Sequence, residues 1–285
     1  MSVPDVTTHH LDLHDIAAVD ALIDRVKPSH LLLSAWSTAH GAFWTDPANE
    51  LWVASCVATA GHFLECGGRR IVLAGSCAEY DWSDRVLIEG PIPESAAQGD
   101  PQTPYGRAKR KAADAMSGLA REAGASFAVG RIFFPMGWGE GPQRFLPTVV
   151  TAMLEGRPAR LGSGQQVRDV MDVRDTGVAL AALVASDVSG AVNIGSGRGV
   201  KLADVARRAA SMCGGPDLLQ LGALPARAGE PQQLVADIRR LRDEVGFSPC
   251  FTLDDTIASS FEYWSRKGPE MARQAAGANS YTGTV

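Results

Sequence analysis

No run of 18 apolar residues occurs in the 285-residue chain, so nothing in it reads as a membrane-spanning helix. The first residues lack the charged–apolar–small succession of an export signal. Cysteine is scarce: five residues, an odd number at irregular spacing, make neither a disulfide set nor a metal framework. That usage points to a reducing cytoplasm and to no bound metal. Cys66 and Cys77 stand too isolated for a ligand set, and Cys77 reads as a small packed side chain rather than a nucleophile. Positive charge is in deficit, at net −5, which argues against a nucleic-acid surface but leaves room for a few local arginines. Glycine is missing from the opening, the first being Gly41. This excludes, at the start of the sequence, a glycine-rich turn of the kind that offers backbone amides to a phosphate. Residues 268–285 carry no apolar periodicity and read as a disordered tail.

What is present is an alternation of helix and strand. Helix signals run Asp15–Val26, Pro47–Glu65 and from Pro104 to a stop near Gly124. Strand signals run His30–Leu33, Arg70–Ala74 and Ser126–Ile132. The pattern predicts an α/β fold with a parallel sheet and helices on both faces. Between them, Asp81–Asp100 is a long polar loop read as a flap. From about Gly137 the elements shorten. This divides the chain into a sheet domain, 1–136, and a smaller lobe, 137–267, with a return to the sheet around 172–194. The last helix is expected over Leu253–Arg266. A hydrophobic content of 45% supplies the core.

Chemistry concentrates at Thr103-Pro104-Tyr105-Gly106-Arg107-Ala108-Lys109. A tyrosine and a lysine four residues apart on a helix share a face. A free phenol titrates near pH ~10, and a neighbouring ammonium in a partly dry pocket lowers that value. Ser76 follows the strand Arg70–Ala74, where a carboxyl end opens onto a ligand crevice. Its hydroxyl can hold a substrate oxygen while Tyr105 takes or returns the proton. The set suits alcohol/ketone interconversion.

These segments resemble the extended short-chain dehydrogenase/reductases, the NAD-dependent nucleotide-sugar epimerase/dehydratase/4-ketoreductase superfamily. The resemblance continues through Gly130–Gly137, Gly164–Asp175 and Asn193–Gly197, and covers Leu11 to Trp264. It implies a Rossmann-like doubly wound parallel sheet with a C-terminal substrate lobe. Tyr105, Ser76 and Lys109 are then catalytic, with Lys109 lowering the tyrosine's pKa and holding the nicotinamide ribose. Asp12, Ser34, Ala35, Lys109 and Phe134 fall on the NAD or NADP side. Arg144, Arg168 and Arg227 fall on the nucleotide-sugar diphosphate, with Glu230 accepting from ribose hydroxyls. An ion pair to Asp169 or Asp172 is the other reading of Arg168. The implied assembly is a homodimer through the helices 47–65 and 104–124.

The sequence departs from the family in two ways. His10–Leu13 resembles the family's third strand, so the first two βα units have no counterpart and the domain reads as N-terminally truncated. The expectation is a start further upstream, or an unpaired apolar edge that associates. Gly195–Gly199 follows a strand and precedes a helix, yet it matches a substrate-side loop better than a phosphate cradle. Secondly, Cys77 and Ala78 stand where sugar dehydratases carry an acid, and Glu79 lies one residue too far. Dehydration is disfavoured, leaving reduction, oxidation or epimerisation at C4 of a nucleotide-linked hexose or deoxyhexose. A cofactor-free lyase or isomerase using Ser76 and Tyr105, and a non-catalytic nucleotide-sugar binder, are the alternatives.

Overall fold

A computed structural model describes residues 6–83, 90–96, 99–225 and 229–276. In chain order it contains α1 (Ile16–Val26), β1 (His30–Leu33), α2 (Ala48–Glu65), β2 (Arg70–Ser76), α3 (Pro104–Glu122), β3 (Ser126–Ile132) and β4 (Phe134–Met136). There follow α4 (Phe145–Leu154), β5 (Ala159–Arg160), β6 (Val167–Asp172), α5 (Val173–Ala185), β7 (Gly190–Ile194), β8 (Gly199–Lys201) and α6 (Leu202–Met212). Last come β9 (Leu219–Gln220), β10 (Gln233–Leu234), α7 (Arg239–Asp243) and α8 (Leu253–Ala276).

The main sheet is parallel, in the order β1-β2-β3-β7. Side chains alternate across a strand, and the two faces of this sheet separate accordingly. Ile71 and Leu73 of β2, with Phe127 and Val129 of β3, join Val19, Phe63, Ala112 and Met116 of α1, α2 and α3. Val72, Ala74 and Ala128 point the other way, onto Ala179, Leu180 and Leu183 of α5. Helices on both faces make the sheet doubly wound. A separate cluster built on α4, α6 and α8, including Leu146, Val150, Val205, Ile257 and Trp264, forms a second hydrophobic core.

Several elements differ from the sequence reading. His10–Leu13 is not a strand. Leu11 and Leu13 pack against the α1/α2 core, but among the described residues β1 pairs only with β2. A segment that resembles a family strand still makes none where no neighbouring strand takes its hydrogen bonds. Cys77–Glu79 is a 3₁₀ turn capped by Ser76. The loop 81–100 is tied down in its described second half: Ile92 is fully buried and bridges Ala236. The last helix breaks at Gly268, whose backbone is non-helical, and resumes to Ala276. The disordered tail expected from residue 268 therefore begins helical, and its remainder lies outside the described residues.

Candidate active site

The cleft opens at the carboxyl ends of the central strands and encloses about 860 Å³. Helix α3 delivers two of its groups. Thr103 caps the helix by accepting from the Gly106 amide at 3.0 Å, and Pro104 opens the first turn. The Tyr105 amide donates to the Trp44 carbonyl at 3.1 Å, which fixes the helix start against the loop before α2. Gly106 sits so close to the 3₁₀ turn that an added Cβ would lie 2.0 Å from the Ala78 carbonyl oxygen. Only glycine permits that approach, and the approach sets Tyr105 beside Ser76.

Ser76, Tyr105 and Lys109 all line the cleft. Tyr105 and Ser76 face each other closely enough for the serine to act on the phenol, and the Ser76 hydroxyl accepts from the Ala78 amide at 3.1 Å. Lys109 is buried, donates to the Ala74 carbonyl at 2.9 Å and lies 4.0 Å above the Trp36 ring. Its ammonium is 5.9 Å from the centre of the Tyr105 ring. Burial drops the Lys109 pKa to about 8. Burial pushes the Tyr105 phenol upward, with the Ser76 hydroxyl opposing. Burial, the largest influence, leaves the phenol above its ordinary value, while the Lys109 ammonium is occupied by the Ala74 carbonyl and the Trp36 face.

The other expected residues divide. Ser34 lines the cleft, as does Phe134, with the Arg168 guanidinium 5.4 Å over its ring. Asp12 and Ala35 are exposed and are not among the lining residues, Asp12 instead accepting from the His14 amide at 2.9 Å. Arg144 lines the cleft with its guanidinium 5.6 Å over Phe43. Arg168 also lines it, fully buried, and its ion pair is with Glu230 at 2.8 Å rather than with Asp169 or Asp172. Glu230 is held on its other oxygen by Gln166 at 2.7 Å. Arg227 lies outside the described residues. The glycine loop after β7 is closed to a phosphate, because the Asp169 carboxylate already accepts from the Ser196 and Gly197 amides at 2.7 and 3.0 Å.

Sequence reasoning missed an aromatic wall. Phe43 and Trp44 stand edge-on to Tyr105, with centroids 4.9 and 5.7 Å away, and Trp36 and Trp82 extend it. The signal was the density of tryptophan at 36, 44, 52 and 82, in a chain with six. Glu140 is a second omission. It lines the cleft, its carboxylate accepts from the Gly137 amide at 2.7 Å, and burial lifts its pKa to about 7.

Residues 2–195 match the NAD dependent epimerase/dehydratase family. The chain belongs to that family. It is 26% identical to the UDP-glucose 4-epimerase of Rhizobium meliloti (strain 1021), over 90% of this chain and 83% of that one. MoeE5, solved in complex with UDP-glucuronic acid and NAD, is 27% identical, with a TM-score of 0.77 over 94% of this chain and 89% of that one. The UDP-glucose 4-epimerase of Thermotoga maritima, at 19% identity, shares the fold with a TM-score of 0.80, over 91% of this chain and 84% of that one. The chain is thus an enzyme-family member of the nucleotide-sugar epimerase/dehydratase type, and the family is NAD-dependent. Among the described residues no helix is long and apolar enough to cross a membrane.

The residues present fit the reacting end of such a cofactor. A hydroxyl pair and a buried amine of lowered pKa share one cleft at the strand ends, the place where doubly wound sheets receive dinucleotides.

Proposed function

We propose that this chain carries out NAD(P)-dependent oxidoreduction at C4 of a nucleotide-linked hexose or deoxyhexose, as a 4-epimerase or 4-ketoreductase. The observation that carries the reading is the Ser76–Tyr105 hydroxyl pair sharing a cleft with Lys109, Arg144 and Arg168. Tyr105 is the proton carrier for the C4 oxygen. Ser76 donates to the same oxygen and stabilises its developing charge. A bound nicotinamide supplies the hydride acceptor and donor. Lys109 would hold the nicotinamide ribose, and Ser34 and Phe134 would line the same side. Arg144 and Arg168 would take the diphosphate, for which a guanidinium fork suits paired oxygens. Because Arg168 is held by Glu230, the incoming diphosphate competes with that carboxylate.

Two observations favour this over dehydration. Cys77 is buried with its thiol pushed up to about 12, and Ala78 has nothing to donate. Glu79, the nearest carboxylate in sequence, is fully buried, accepting from the Ser76 amide at 2.8 Å and pairing with Arg131 at 2.9 Å. A homodimer through the outer sides of α2 and α3 belongs to the same reading, and Leu51 of α2 is half exposed there. The test is Tyr105→Phe, assayed with UDP-sugars and 4-keto sugar nucleotides. We expect kcat to fall by roughly 10²–10⁴-fold with KM little changed, as for loss of a positioned acid–base group. Unchanged kcat would remove Tyr105 from the chemistry.

A further inference from the structure

Outside the cleft, α1 and the end of α2 assemble three donor atoms of different chemistry. His62 and Cys66 lie one turn apart on α2 and face the same side. Asp24 reaches them from α1. The His62 Nε2–Asp24 Oδ1 distance is 3.0 Å, Cys66 Sγ–Asp24 Oδ1 is 3.3 Å and Cys66 Sγ–His62 Nε2 is 3.5 Å. A tetrahedral ion with bonds of about 2.0–2.3 Å holds its ligand atoms about 3.3–3.6 Å apart. The cluster is therefore close to the edge lengths of such a site before any ion enters.

The surroundings favour a cation. Glu65 Oε2 lies 3.7 Å from His62 Nδ1, so the nitrogen turned away from the cluster faces a carboxylate, as metal-binding imidazoles commonly do. Asp20, one turn before Asp24 on α1, has a buried Oδ1 without a hydrogen-bond partner among the described residues, and its charge acts on His62. The negative charges of Asp20, Asp24 and Glu65 are opposed at the cluster by Lys27. Mixed imidazole, thiolate and carboxylate donors suit a borderline ion and not magnesium or calcium.

We propose that Asp24 Oδ1, His62 Nε2 and Cys66 Sγ bind one divalent ion of the zinc type, with water as fourth ligand, clamping α1 onto α2. On binding, the Cys66 S–H bond breaks, its proton leaves to solvent, and the thiolate forms the metal–sulfur bond. Neutral His62 gives its Nε2 lone pair, and nothing is oxidised or reduced. Cys66, read from sequence as too isolated to be a ligand, has His62 one turn before it and gains Asp24 from a helix 42 residues away.

The test is titration of the full chain with Co²⁺ alone, followed by its absorption spectrum, and then displacement by Zn²⁺. The expected result is one equivalent bound, intense tetrahedral d–d bands and a thiolate-to-cobalt charge-transfer band that Zn²⁺ removes. Affinity should fall about tenfold per pH unit from about pH 8 to 7, reflecting the released thiol proton, and more steeply below that, where His62 must also lose a proton to bind. Cys66→Ser should abolish the charge-transfer band, and His62→Ala should weaken binding at least tenfold. Both positions are partly solvent-facing, so the variants fold, and their far-ultraviolet circular dichroism checks it. Zn²⁺ should also raise the Tm of the wild type but of neither variant, and should shield Cys66 from thiol reagents in the wild type but not in His62→Ala. A cobalt spectrum without the charge-transfer band, or binding equal in wild type and Cys66→Ser, overturns the proposal.

Discussion

Lys109 holds its proton at a disadvantage. Its folded pKa of about 8 lies below the ordinary 10.5 because burial disfavours the ammonium. Between those values the unfolded chain binds more protons, so Lys109's contribution to stability rises with pH across that window. Below pH 8 both states are protonated and the burial cost is present in full. At about 1.4 kcal/mol per unit, the cost is at most about 3–4 kcal/mol. Lys109→Met, which keeps the stem and removes the charge, should be more stable than wild type at pH 7, with the gap shrinking as pH rises from 8 towards 10. Urea unfolding across that range checks this, and a gap independent of pH would contradict it. The Tyr105/Lys109 pair was legible because four-residue spacing on a helix is local geometry. Its electrostatics were not, since Trp36 and the Ala74 carbonyl come from other strands and loops. Arg168 shows the same limit: its partner, Glu230, is 62 residues away.

At the scale of elements, the start of α3 shows how backbone clearance places a side chain. The Gly106 Cα packs on the Ala78 carbonyl, and Gly75 is as tight, with an added Cβ 2.4 Å from Glu79 Oε1. Gly106→Ala must push α3 away from the 77–79 turn and carry Tyr105 off Ser76. We expect a destabilisation of about 1–3 kcal/mol, as for overpacking, and at least a tenfold loss of kcat. Turnover and chemical denaturation measure both; full activity would mean that the turn yields freely. The strands β1, β2 and β3 were readable from apolar runs bounded by breakers, and α1 from its Asp15 cap. His10–Leu13 misled because a strand is completed by its neighbour, not by its own pattern. The aromatic wall went unread because the path of residues 34–47 depends on contacts with α3.

For the molecule as a whole, the order β1-β2-β3-β7 leaves β1 with one partner among the described residues. His30 and Leu32 on that edge are exposed, Leu32 at 39%. Unpaired apolar edges recruit other chains. Self-association by sedimentation velocity should rise with concentration, and Leu32→Lys should weaken it at least tenfold. A chain that stays monomeric at all concentrations would contradict this. The doubly wound layering was legible from alternating elements, whereas the meeting of Asp24 with His62 and Cys66 was not, because it depends on how α1 and α2 pack.

The central claim is that Ser76 and Tyr105 serve hydride chemistry at C4. The most direct measurement follows deuterium placed at C4 of a nucleotide sugar, with NAD⁺ present, by mass spectrometry and NMR. The account predicts that the C4–deuterium bond breaks during turnover and that the label is carried on nicotinamide or returned to C4 without loss to water. Turnover that leaves the bond intact, or releases the label to solvent, would contradict hydride transfer and assign the cleft to cofactor-free acid–base chemistry.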